Sequence, residues 1–200
     1  MARLRPANLI AAEWWPHESF RAMSFLSRLL RRKDDDRAAY RPLWHRTVEL
    51  ARDPRWFAAP GAGGGGVADT VGGRFDAITL TLCAVLLRME REPALVEPSV
   101  RVTELFVDDM DGQLRESGVG DLVVGKHMGR LMSVLGGRLG ALREALAAPD
   151  DRLLVEAINR NVTLSDDADP ARVAALLRGF AGMLDGAPAE DILAGRIALP

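Results

Sequence analysis

One stripe of apolar residues constrains the fold of this chain more than any other feature. Val124, Met128, Leu131, Leu135, Leu139, Leu142 and Leu146 recur at spacings of 4, 3, 4, 4, 3 and 4. That rhythm puts all of them on one side of an α-helix and on no single face of a strand. A helix over 122–147 with such a stripe needs other helices to bury it. Composition points the same way for the rest of the chain. Ala, Leu and Arg supply 29, 28 and 24 of the 200 residues, whereas Val, Ile and Thr together supply 26. Helix formers therefore dominate residues that favour sheets.

The other segments read as helices of a single bundle. The spacing predicts a helix over 37–52, with Tyr40, Leu43, Trp44, Thr47, Val48 and Ala51 as its apolar stripe and Pro54 after it. Residues 58–66, with Gly63 to Gly66, read as a loop whose backbone is too free to form an element. A helix over 74–91 is apolar nearly all round and belongs in the middle of the bundle. Pro93 and Pro98 mark the next turn. A helix over 99–117 follows, with Glu104, Asp108, Asp111 and Arg115 on its outer side. Gly118 is its C′ residue, and Asp121 caps the next helix. Three shorter helices follow: one over 151–162 behind Asp150, one behind Asp169-Pro170 and one opened by Pro188. The expectation is an all-α, single-domain bundle of about seven helices over 37–196 with short connections.

The N-terminus reads differently. Residues 1–22 lack periodicity, and Met23 resembles a start, so they are an upstream extension or a flexible N-terminus. Residues 23–33 form a basic amphipathic helix candidate. Phe25, Leu26, Leu29 and Leu30 share a face, and Arg28, Arg31, Arg32 and Lys33 supply charge. Such a helix lies on an anionic membrane surface or docks on its own core.

Several function classes are excluded. A net charge of −2 argues against general nucleic-acid binding. Cys83 alone makes no internal disulfide and no zinc site, and it sits in an apolar run as an inert core thiol. The longest charge-free run in the middle, Ala77 to Leu87, falls short of the ~20 residues that cross a bilayer. No secretory signal stands at the start. His17, His45 and His127 form no ligand motif, and no Ser lies in a nucleophile elbow. Asn161-Val162-Thr163 fits a glycosylation sequon without other signs of secretion. Asp108, Asp109 and Asp111 read as a solvated acidic face, with an Asp111–Arg115 pair, rather than a metal site. The chain therefore reads as a non-enzyme without cofactor or metal.

Two features bear on binding. Gly120 to Lys126 matches the GxxxxGK phosphate loop, but His127 replaces the Mg²⁺-binding hydroxyl and a helix rather than a strand precedes it. A small-molecule- or nucleotide-binding helical protein using this turn is the alternative function. On helix 122–147, Gly129, Ser133, Gly136, Gly137 and Gly140 line one side. Small residues so spaced admit a neighbouring helix closely. The neighbour is an internal one such as helix 99–117, which the sequence favours, or a helix of another protein lying in a shallow groove.

Several short motifs then occur in one order. They are Trp56-Phe57, Val67-Ala68-Asp69-Thr70, Gly73-Arg74-Phe75-Asp76, Asp109-Met110-Asp111, Leu114-Arg115-Glu116 and Gly118 to Lys126, the last including Gly120 and Asp121. Over about residues 37–148 the chain resembles the ubiquinol–cytochrome c chaperone family. The resemblance implies an all-helical, non-enzymatic assembly factor for ubiquinol–cytochrome c reductase that holds newly made cytochrome b. It further implies association with ribosomes. The short chain resembles a bacterial member, acting in the cytoplasm at the inner membrane. Thr81 and Gly72 depart from the family pattern, where His and Asp are expected.

Overall fold

The computed structural model describes residues 36–116 and 121–200. Its organising element is α3, Val71–Glu90, which we number after α1, Arg41–Ala51, and the single turn α2, Pro54–Phe57. The Thr70 hydroxyl caps α3 by accepting from Gly73 N at 3.1 Å. Ala77, Leu80, Leu82, Cys83, Val85 and Met89 are buried on every side of it. Thr79 and Thr81 are also buried, and their hydroxyls donate to carbonyls one turn back. An all-round apolar helix has to be surrounded. Accordingly α1, α4 (Pro93–Glu116), α5 (Asp121–Ala147) and α7 (Pro170–Gly186) all pack on it. Between α5 and α7 lies α6, Arg152–Asn161, and α8, Ala189–Leu193, follows. Asp169 caps α7 by accepting from Ala171 N at 2.9 Å, whereas Asp150 stands one residue before the N-cap Asp151 of α6 and accepts from Arg152 N at 3.0 Å. The fold is all-α: among the described residues the single β feature is an isolated bridge between Val67 and Leu164.

Two expectations need correction. Pro98 does not mark a turn; α4 begins at Pro93 and runs through it. Proline suits the first helical position, and Pro98, one turn on, removes one backbone hydrogen bond. Leu95 and Val102, both fully buried, hold the helix on the core across that gap. The glycine loop is also tighter than freedom alone suggests. Gly65 N donates to Arg55 O at 2.8 Å and Val67 N to Trp56 O at 2.9 Å. A Cβ on Gly64 would lie 2.1 Å from Ala58 O, so the chain there needs glycine for close approach.

The thiol of Cys83 is fully buried in α3, and burial pushes its pKa up to about 12. In an unfolded chain a thiol titrates near ~8.5. Between these values the unfolded chain binds fewer protons than the folded one, so stability falls as pH rises. Stability is fully present below the unfolded value and is lost as pH climbs toward the folded one. The urea-unfolding free energy should decline above pH ~9 with a slope approaching ~1.4 kcal/mol per pH unit, and Cys83→Ala should flatten it. An equal slope in both proteins would contradict this account.

Candidate functional site

The outer face of α5 is built by an unusual division of labour. Leu135, Arg138, Leu142 and Ala145 point inward and are buried. α3, α4 and α6 pack against this helix. Opposite them, Gly129, Ser133, Gly136, Gly137 and Gly140 are exposed. A Cβ added to Gly129, Gly136, Gly137 or Gly140 would meet nothing within 4 Å. The internal neighbour favoured by the sequence is therefore not found among the described residues, because α4 packs elsewhere on α5. Met128, Met132 and Leu139 are partly buried and by helical position lie along one edge of the glycine column, whereas Leu131 falls on the core side. The result is an exposed strip with a bare backbone floor and one apolar edge. Each glycine costs the helix ~1 kcal/mol relative to Ala, and nothing packed inside the described protein requires it.

Beneath that strip lies a charged knot. Asp76, in α3, accepts from Arg138 Nη2 at 2.5 Å through Oδ1 and from Thr163 N at 2.8 Å through Oδ2. The same Arg138 donates to Thr79 Oγ1 and, at 2.7 Å, to Asn161 O. Its guanidinium stands 5.6 Å from the Phe75 ring centroid, within cation–π range. The Phe75 and Asp76 of the sequence motif thus grip α5, whereas Arg74 pairs at the surface with Asp69 at 2.6 Å. Arg138 escaped the sequence reading. Its signal was its place: three residues after Leu135 and four before Leu142, on the core stripe.

The acidic residues of α4 have partners that the sequence did not indicate. Asp109 is exposed and the Asp108 side chain is 40% exposed, and both also tie the start of α1 to α4, Asp108 accepting from Arg37 Nη1 and Asp109 from Trp44 Nε1. Glu104 accepts from Arg101 at 3.2 Å. His45 is exposed, and no group among the described residues has the makeup of a metal site. Asn161 donates to Ala157 O, and Thr163 N is held by Asp76, so the sequon is folded into the knot. The stretch from Asp121 to Lys126 is the first part of α5, whereas a phosphate loop needs non-helical backbone there. Thr81 lies in the core rather than on a surface. At Gly72 a Cβ would make only an ordinary contact with Thr163, at 3.5 Å. Gly118, Gly120, residues 1–22 and the segment 23–33 with Phe25, Leu26, Arg28, Leu29, Leu30, Arg31 and Arg32 lie outside the described residues. So do the side chains of Arg115, Asp121 and Lys126.

No helix among the described residues is long and apolar enough to cross a membrane. The family model described as ubiquinol-cytochrome C chaperone matches residues 65–199. The match begins just before the Val67-Ala68-Asp69-Thr70 segment and runs beyond the span of the resemblance to the C-terminal tail. Among solved structures the chain is similar to a Cbp3 homolog from Brucella abortus, at 31% identity and a TM-score of 0.70. That alignment covers 88% of this chain and 96% of the other. Comparison with curated proteins gives no significant match.

Proposed function

The chain belongs to the ubiquinol–cytochrome c chaperone family, and from that premise we propose that it is an assembly chaperone for ubiquinol–cytochrome c reductase. Its client in this reading is newly made cytochrome b or another reductase subunit, held against the outer face of α5. The observation that carries the surface assignment is the open glycine column in a helix whose other sides are packed. A client helix gains van der Waals contact where side chains do not hold the backbones apart. Partly buried Met128, Met132 and Leu139 along one edge supply adaptable apolar contact. The role is one of binding, so the reading assigns no catalytic residue and no cofactor.

Deleting the gene in the source organism should lower the amount of assembled reductase. On the protein, Gly136→Leu tests the surface. A Cβ at the position meets nothing within 4 Å among the described residues, so leucine should be accommodated and add ~1 kcal/mol of helix propensity. The melting temperature should stay level or rise by a few degrees, while capture of cytochrome b segments falls several-fold per folded molecule. Unchanged capture would move the client surface elsewhere.

The basic segment 23–33 completes the proposal as a contact with anionic membrane at the cytoplasmic face. Binding to liposomes should need anionic lipid, weaken with salt, survive removal of residues 1–22 and vanish without residues 1–33. Equal binding to neutral liposomes at high salt would remove this part.

A further inference from the structure

We infer that Arg138 is a positioning residue, which fixes the rotation of α5 about its axis so that the glycine column faces outward. This deepens the client-surface reading and rests on it for its purpose. Gly136 and Gly137 directly precede Arg138 in the chain, and paired small residues are where helices bend. None of the glycines has a side chain, or a neighbour among the described residues, that could hold this stretch from outside. The hold comes from the opposite side. Through its two Nη atoms Arg138 reaches Asp76 and Thr79 on α3 and the Asn161 carbonyl at the end of α6. Its Nε is buried with no hydrogen-bond partner among the described residues, so its hydrogen bonds all come from the fork. Acceptors on two separate elements define a direction, which an apolar contact does not. Leu135 and Leu142 would pack with α5 turned slightly either way, whereas the fork accepts one orientation. Lysine, a single ammonium, cannot reproduce it.

Hydrogen–deuterium exchange on the free full-length protein tests this. In Arg138→Lys, which keeps the buried charge compensated, amides of 134–142 should exchange about tenfold faster, with 173–184 of α7 changed much less. Adding Gly136→Ala and Gly137→Ala should restore most of that protection, because alanine stiffens the weak stretch directly. A uniform rise across both helices that the alanines do not reverse would reduce Arg138 to a general core residue and overturn the inference. Unchanged exchange over 134–142 would overturn it too. Capture of cytochrome b segments by the same variants separates the two readings. Local loosening with unchanged capture leaves Arg138 in its positioning role and removes α5 as the client surface.

Discussion

Asp76→Ala should destabilise the protein by about 3–5 kcal/mol, the cost of leaving one partner of a buried ion pair alone. Its carboxylate side chain is 5% exposed and that of Arg138 is 10% exposed, so water cannot replace the lost partner. One further donor, Thr163 N, loses its acceptor as well. For a chain of this size the melting temperature should fall by roughly 6–20 °C. The double variant Asp76→Ala/Arg138→Met should cost less than the sum of its parts, because it removes both charges together. Thermal melts of the three variants measure the coupling. Strict additivity would mean that the pair contributes nothing as a pair. The prediction distinguishes a fold lock from a client contact. If Asp76 served the client instead, stability would hold and capture would fall.

That lock explains what was legible in the sequence and what was not. Period alone located α3 and α5, because an apolar stripe reports which side is buried whatever lies opposite. The cap at Asp169 and the start of α6 just after Asp150 were legible for the same local reason. Arg138 was not, since a helical period treats arginine as solvent-facing and its partner Asp76 is 62 residues away. The donors to Asp108 and Asp109, Arg37 and Trp44, were not legible because they lie 71 and 65 residues off. Pro98 looked like a boundary because its neighbours' burial is a tertiary property. The glycine column shows the limit most directly. Sequence shows that residues are small, but a small residue facing a packed helix and one facing open space are spelled alike. The family motif was legible as an order of residues. That Phe75 and Asp76 hold α5 while Asp69 and Arg74 pair at the surface became visible only in three dimensions.

The same contrast makes one substitution act with opposite signs at two glycines. At Gly136 a new Cβ meets nothing within 4 Å, so alanine should stabilise by up to ~1 kcal/mol. At Gly73 the Cβ would stand 1.9 Å from Ala68 O and 2.9 Å from Ala68 C, both backbone atoms. Relief needs the Ala68 carbonyl to move. That carbonyl accepts from Thr70 N at 2.8 Å, and Ala68 N donates to Thr163 O at 2.9 Å. The shift therefore disturbs the α3 cap at Thr70 and the Val67–Leu164 bridge together. Overpacking against rigid neighbours costs ~1–3 kcal/mol or more, and damage to a cap adds ~1 kcal/mol. The propensity gain of alanine offsets only ~1 kcal/mol of this. Gly73→Ala should therefore lower stability by about 2–3 kcal/mol in urea titrations, with an unchanged m-value. Because Thr163 belongs both to this junction and to the knot at Asp76, the losses of Gly73→Ala and Asp76→Ala should be less than additive when combined. Stabilisation by Gly73→Ala equal to that at Gly136 would show that the backbone crossing at Ala68 yields freely, and the motif glycine would then have no packing reason to be glycine.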